Sequence, residues 1–528
     1  MPGNVNLDAL IRREDFAVVA QEAPSSLIQT IQIRDLEPDA FFYGAIRKPD
    51  FQRETNEWSP ETISDFVTSF LDGDLIPAII LWKSGGNLFV IDGSHRLSAL
   101  IAWVQDDFGD GQSSRQFYEH QIPSEQQKIA DSTRKLLKKD CGSYIEHKAA
   151  VQNPAGARPE VLKRAGNLAS LALQVQWVTG NAERAEASFF KINQQAAPID
   201  KTELRLLESR KKPNAVAARA IVRSGTGHKY WSGFNKPIQD EIESIATDIH
   251  NTLFRPELHT PIKTLDLPVA GKGYSAQSLP LIFDFVNLAN SVSDKTTLPD
   301  DLTGEKTVEF LKRCRQLVRR ISGLHASSLG MHPVVYFYGT TGRYQPTAFL
   351  ATIELIKSME NAKDGAGFTL FTSIRPQFEE FLLRHKHFIS QITYKYGTRL
   401  KTSKVDGWRG GVSRLNYLWI FVINKLLAKV PENEIISQMQ QDPKLSFLQP
   451  REANTPERAQ SSDFSTDSKS ATFMKEAVTS LLRCKICNGA IHVNSISIDH
   501  IVPKREGGPG IADNGQLTHP YCNTTIKQ

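Results

Sequence analysis

Cysteine is scarce in this chain: five residues among 528, an odd number that forms no complete disulfide framework. Long apolar runs are also lacking. The densest, YLWIFVI from Tyr417 to Ile423, is followed by Asn424 and Lys425, far short of the about 20 apolar residues that a membrane-spanning helix needs. The opening MPGNVNLDALIRREDF lacks the basic-then-apolar order of a secretory signal. Nor is there much charge of one sign. A formal net charge of +5 permits a polyanion partner without requiring one, so any nucleic-acid contact must rest on local patches. Together these absences set the expectation of a cytoplasmic protein with no membrane partner. With 40% hydrophobic and 23% charged residues, the composition excludes wholesale disorder and allows several packed domains.

The few cysteines are unevenly placed. Cys484, Cys487 and Cys522 crowd into the C-terminal tail, which favours metal binding in a reducing compartment over disulfides. Cys141 and Cys314 stand alone and read as packed or exposed thiols.

Periodicity divides the rest into regions. In EWSPETISDFVTSFLDGD, Ser59 is a good N-cap, Pro60 a good first helical residue and Gly73 a stop, with Ile63, Phe66, Val67 and Phe70 at helical spacing. LIPAIILW, KSGGN and LFVIDG then read as strand, glycine turn and strand, followed by an amphipathic helix in HRLSALIAWV. From about 126 to 450 helical periodicity dominates, as in EKTVEFLKRCRQLVRRI and PTAFLATIELIKSM, with a capping box at Asp200 and Glu203. REANTPERAQSSDFSTDSKSAT, 451–472, is Ser-rich and nearly free of large apolar residues, and reads as a flexible tether. The expected domains are therefore 25–205, 206–450 and 473–528, with 451–472 as linker. The fold class expected is α+β and multidomain.

The tail carries the strongest chemistry. CKIC spaces Cys484 and Cys487, and HPYC spaces His519 and Cys522, as two pairs that can surround one ion. A thiolate-rich tetrahedral set suits structural Zn²⁺, which a unit of about 50 residues needs as a staple. His492 is the reserve fourth ligand. Between the pairs lies SISIDHIVPKREGG, in which Ser495 to Ile498 alternate as a short strand with an apolar face. Strict alternation would put Asp499 and His500 on opposite sides, so a bend is expected there, with Pro503, Gly507 and Gly508 as the turn.

CxxC, DHIxP, GG, an Asn before a short apolar run, and CNxxxK together resemble the HNH nuclease family. The resemblance covers about fifty residues. It implies a ββα-metal fold that cuts phosphodiester bonds with one divalent ion, Mg²⁺ or Mn²⁺. By it, His500 is the general base, suited by an imidazole that titrates near neutrality. Asn514 holds that ring through a hydrogen bond, and Asp499 and Asn523 ligate the catalytic ion. Lys504, Arg505 and Lys527 are the phosphate contacts. One departure is His519, where the family commonly has Cys, which leaves open that His519 serves the catalytic ion instead.

Far upstream, FVIDGSHRLSAL places Asp92, Gly93, His95 and Arg96 at a strand-to-helix junction, where backbone N–H groups favour anions and an arginine can fork onto phosphate. DGSHR resembles the DGQQR or DGQHR signature of ParB-like domains, including the N-terminal half of GmrSD-type modification-dependent restriction enzymes. FQRETNEW, DGDLIPAIILW and FFKINQQAAPIDKTEL fall in the family's order on either side, over roughly 40–205. The resemblance implies a ParB/sulfiredoxin-like domain that binds or hydrolyses an NTP and gates the nuclease. Gln52, Arg53, Asp92, Gly93, His95 and Arg96 would line its site. Ser94-His95 replaces the Gln-Gln of the hydrolytic members, so binding without turnover, or direct sensing of modified DNA, fits equally well.

The segment from Tyr394 to Leu415, with Arg399, Lys401, Lys404 and Arg409 among aromatic residues, is a further candidate for DNA backbone contact. The reading that follows is an antiphage restriction endonuclease acting on DNA, including modified phage DNA. A tether of about 22 residues would span on the order of 25 Å and allow loose cleavage spacing. One HNH site cuts one strand, so a homo-oligomer is a way to cut both. Two rivals stand: an HNH toxin acting on host DNA or RNA, and a non-catalytic ParB-like DNA-binding switch whose zinc module is structural.

Overall fold

The structure, a computed structural model, describes residues 4–14, 27–49, 52, 55–118, 120, 122–196, 205–206, 209–273, 278–293, 296–362, 367–396, 410–450 and 463–527. The chain forms two compact units, one of 1–216 with 225–233 and 274–280, the other of 217–224, 234–273 and 281–528.

The first unit is built on a six-stranded mixed sheet. Its strands are β1 (Arg13–Glu14), β2 (Thr30–Gln32), β3 (Ile46–Pro49), β4 (Ile79–Ser84), β5 (Asn87–Asp92) and β6 (Ala172–Val178), in the order β1-β3-β5-β4-β6-β2. Local chemistry explains the central hairpin. Ser84 pairs with Asn87, so Gly85-Gly86 is a two-residue turn, and Gly85 takes a φ of 58° that disfavours a side chain. Helix α1 (Pro60–Asp72) starts where expected: Ser59 Oγ accepts from Thr62 N at 3.3 Å, Pro60 fills the first turn, and Gly73 ends it at φ 79°. Its Ile63, Val67, Phe70 and Leu71 are buried with Leu97, Leu100 and Ile101 of α2 (Ser94–Gln105). The expected start at residue 25 is too late. Val5, Leu7, Leu10 and Ile11 belong to the same core, and β1 forms the sheet edge beside β3.

The second unit is mostly helical, including α3 (Lys236–Phe254), α4 (Glu305–Ile321), α5 (Pro346–Glu360), α6 (Gly367–Arg384) and α7 (Gly410–Leu427). The basic face of α4 is largely spent on ion pairs, Arg313 to Glu360 at 2.7 Å and Arg319 to Asp248 at 2.6 Å. Among the described residues no helix is long and apolar enough to cross a membrane.

The tether and the free nuclease module need correction. Residues 451–462 lie outside the described residues, and so does the capping box at Asp200 and Glu203. Thr466–Ala477, however, is a helix, α8, with Ser465 Oγ accepting from Ser468 N. Its Ser470 Oγ accepts from Ile262 N at 3.0 Å, and Asp467 pairs with Arg343. Small hydroxyl residues that read as linker are here a cap and a packing face. The nuclease residues that follow share the second unit with the helices: Tyr521 N donates to Ser328 O at 3.0 Å, and Asn494 Nδ2 to Arg255 O at 2.7 Å.

Candidate functional site

At the C-terminal end, β7 (Ser497–His500) and β8 (Gly515–Thr518) pair antiparallel, with Asp499 opposite Gln516 and His500 opposite Gly515. The strand runs through Asp499 and His500, and the chain turns only at Ile501, one residue later than expected. The expected apolar face is also inverted. Ile498 is 60% exposed, whereas Asp499 is buried at 7%.

The two glycines of the following loop have separate reasons. Gly507 takes a φ of 81°, and Gly508 passes so close to Val502 O and Asn514 that a methyl group would overlap the carbonyl. Asn514 ties this loop shut: its Oδ1 accepts from Val502 N at 2.7 Å, and its Nδ2 donates to Val502 O at 3.1 Å and Pro509 O at 2.8 Å. Its backbone oxygen accepts from Ile501 N at 2.8 Å. Both amide protons are therefore committed to the loop, and the expected bond from Asn514 to the His500 ring is replaced by a clamp on the segment just after His500.

Asp499 is held by two donors through one oxygen, Gln516 Nε2 at 2.7 Å and Lys527 Nζ at 2.6 Å. Burial pushes its carboxyl up, but the bonds from Lys527 and Gln516 outweigh it and hold it below the ordinary value. Lys527 also donates to His500 O. This lysine, expected on phosphate, here supplies a cation to the candidate metal carboxylate. Asn523 anchors its amide nitrogen on Ser497 Oγ at 2.8 Å and Ile498 O at 3.3 Å, an arrangement that reserves its carbonyl oxygen for another partner. The short closing turn is a π-helix, Cys522–Ile526, in which Lys527 N donates to Cys522 O at 3.2 Å. Lys504 and Arg505 are exposed on the loop. One carboxylate and one amide oxygen are hard donors of the kind Mg²⁺ or Mn²⁺ takes, with phosphate and water completing the shell.

Beside the ribbon, Cys484, Cys487, His519 and Cys522 are buried with their ligand atoms all within 4.8 Å of one another. His519 Nδ1 lies 3.3 Å from Cys487 Sγ and 3.8 Å from Cys522 Sγ. A tetrahedral zinc would set sulfur–nitrogen edges of about 3.5 Å, so the set fits. Two local bonds form the knuckle, Cys484 N to Gly489 O at 2.9 Å and Asn488 N to Cys484 O at 2.8 Å, with Asn488 at φ 54°. His519 Nε2 donates to Ala490 O at 3.0 Å, which fixes the tautomer that leaves Nδ1 for a metal. Among these crowded thiols, hydrogen bonds from Cys487 and Cys522 pull Cys484 down, and Cys522 is pushed up chiefly by its hydrogen bond with Cys484. The reserve ligand His492 is elsewhere, against His332 at 5.3 Å between ring centroids. Cys141 and Cys314 are buried thiols, pushed up by burial to about 11 and about 12.

In the first unit, Asp92 ends β5 and Gly93 begins α2 at φ 95°. Arg96 bonds Asp92 Oδ2 at 2.5 Å and Pro77 O at 2.9 Å, so its guanidinium is already committed in this conformation. Gly93 is required locally, since a methyl there would lie 2.5 Å from Ile79 Cδ1. His95 stacks on Trp58 at 5.8 Å, which joins the FQRETNEW segment to the junction. Gln52 belongs to a different set. It is 5% exposed, its backbone oxygen accepts from Arg13, and its Oε1 is buried without a hydrogen-bond partner among the described residues. Nearby Asp8 Oδ1 takes both Arg13 and Lys48 at 2.7 Å, a buried ion cluster that sequence reasoning missed. Arg53, Arg399, Lys401, Lys404 and Arg409 lie outside the described residues.

Comparison with known families divides the chain along the same lines. Residues 31–207 match the family model of the GmrSD restriction endonuclease N-terminal domain, and residues 484–528 match that of the HNH endonuclease. No curated protein and no solved structure matches the chain. A GmrSD-type N-terminal domain with a C-terminal HNH domain supports a restriction-type DNA endonuclease that hydrolyses phosphodiester bonds.

Proposed function

We propose that this chain, a GmrSD-type N-terminal domain joined to an HNH nuclease, is a cytoplasmic antiphage enzyme that cleaves modified DNA under control of its N-terminal domain. The observation that carries the reading is the placing of Asp499 and His500 on one small ribbon, with Asn514 in its loop and Asn523 in the closing turn, beside a four-ligand metal set. His500 takes the proton of the attacking water. Asn514 positions it indirectly, through the loop that leaves the strand at Ile501. Asp499 and the Asn523 carbonyl would hold Mg²⁺ or Mn²⁺, which would supply polarisation of the phosphate and stabilisation of the leaving oxygen. Lys504 and Arg505 are exposed on the loop, where they would meet the DNA backbone, and Lys527, here on Asp499, would be a further phosphate contact. Zinc held by Cys484, Cys487, His519 and Cys522 would keep β8 and the closing turn in place.

The N-terminal domain, read as ParB-like, senses a nucleotide or the DNA modification. Gln52, whose buried oxygen has no partner among the described residues, and the Asp92–Arg96 turn are the groups that would read the ligand. One active site per chain means that two copies are needed to cut both strands. The test is digestion of phage DNAs bearing different modifications, with Mg²⁺ or Mn²⁺, with and without each NTP, beside an RNA control. Selective cutting of modified DNA supports the reading; degradation of RNA or of host DNA alone supports the toxin; no cutting of any substrate supports the switch.

A further inference from the structure

We propose that Arg375 is the electrostatic and positioning partner of the zinc centre, so that a residue of the helical region sets how tightly the nuclease keeps its metal. The proposal rests on reading Cys484, Cys487, His519 and Cys522 as the zinc site. Arg375 lies in the middle of α6, in a stripe with Phe371 and Phe378, and is 1% exposed. Its Nε donates to Glu379 Oε1 at 2.6 Å, and its Nη2 donates to Gly330 O at 2.9 Å and reaches Ala490 O at 3.5 Å. Nη1 donates to Leu329 O and lies 3.3 Å from His519 Nδ1. Glu379 completes the grip: its Oε2 accepts from Ala490 N at 2.7 Å, and its Oε1 from Tyr336 Oη at 3.0 Å.

The approach is built in from both sides. A methyl group on Gly489 would sit 2.5 Å from Arg375 Nε, and one on Gly330 would sit 2.6 Å from His519 Cδ2. Glycine at each place lets the knuckle and the 328–330 loop close around one guanidinium.

The charges explain why a cation belongs there. Three thiolates, a neutral imidazole and a dication sum to a net charge of −1, and such a centre in a dry interior needs a counter-charge. Arg375, shared between the centre and the Glu379 carboxylate, is the cation placed against it, and it also aligns His519 through Ala490 O, the acceptor of the His519 Nε2 proton. Partners of this kind, one bond beyond the ligands, typically change metal affinity by about 10–100-fold.

The experiment measures zinc release from the full-length protein to a metallochromic chelator at fixed pH, for wild type, Arg375→Met, Arg375→Lys and Glu379→Gln. Circular dichroism on the same samples reports folding. The Met variant should release zinc about 10–100-fold faster, whereas the Lys variant, which keeps the charge, should stay much closer to wild type. Glu379→Gln keeps an oxygen that can accept from Ala490 N while removing the carboxylate charge that competes for Arg375, and should release zinc no faster than wild type. If Arg375 serves packing alone, Met and Lys behave alike and Glu379→Gln loosens the knuckle; that pattern overturns the proposal. Should Arg375→Met fail to fold, the Lys and Gln variants decide: zinc kept in both supports it, and zinc lost from both overturns it. A wild-type protein that purifies without zinc would instead remove the zinc reading itself, a distinct failure.

Discussion

Two strand ends in this chain each carry an aspartate that holds a cation, and the sequence writes them in similar letters, DGSHR and IDHIVPK. At the first, Asp92 and Arg96 are four residues apart on one junction, and Arg96 is also fixed to Pro77 O. The side chains are 35% and 15% exposed, and the ion pair closes a helix start. At the second, Asp499 takes Lys527 from the last turn of the described chain, 28 residues on, and the carboxylate is 8% exposed. The first pair is local and would form in many helices. The second assembles only when β7, β8 and the closing turn are in place. Similar residue types thus make a junction lock in one unit and a candidate cation site in the other.

The comparison can be broken in several ways. The largest effect is expected at His500: His500→Ala should lower metal-dependent DNA cleavage by about 10²–10⁴-fold, with zinc content and circular dichroism unchanged. Zinc lost along with activity would make His500 a structural residue. Next, Lys527→Met should strengthen Mn²⁺ binding in the absence of DNA by about tenfold, as expected when a competing ammonium leaves a carboxylate. Arg96→Met should create no such site at Asp92. Titration calorimetry of the two variants decides, and equal behaviour would erase the distinction drawn between the aspartates.

Acid should separate the units as well. Burial holds His250 and His492 of the second unit near about 4, below the ordinary 6.5. The unfolded chain therefore takes up protons that the fold refuses as pH falls from about 6.5 to 4, and stability declines across that window. His147 of the first unit shifts the same way through burial. Hydrogen exchange at pH 7 and pH 5 should show the second unit losing protection first, and the reverse order would count against the buried-histidine account. The smallest effect is expected for Arg96→Ala, about 0.5–1 kcal/mol of stability by urea unfolding, the size of a partly exposed ion pair. A loss several times larger would mean that the junction carries more of the fold than its contacts suggest.

What the sequence disclosed follows from where its signals are local. Ser59, Pro60 and Gly73 mark the ends of α1 because caps act within one turn. The two Cys/His pairs are legible because knuckles present ligands at fixed spacing. Where contacts are distant, the reading failed. Asn514 read as a partner of the His500 ring, since nothing local shows that Val502 and Pro509 return to it. Arg375 and Glu379, four residues apart, look like a surface ion pair until α6 is seen to bury them at 1% exposure each. The Ser-rich stretch read as a tether because hydroxyl side chains that cap and pack a helix have the same composition as a linker.

The most direct test of the central claim is the position of a divalent ion in crystals grown with Mn²⁺ and a DNA duplex, read from anomalous scattering. The account predicts one peak coordinated by Asp499 and the Asn523 carbonyl at about 2.1–2.2 Å, with the His500 ring facing the scissile phosphate and Lys527 moved off Asp499. A map with no ion there, Lys527 still on the carboxylate and His500 turned from the DNA would contradict it.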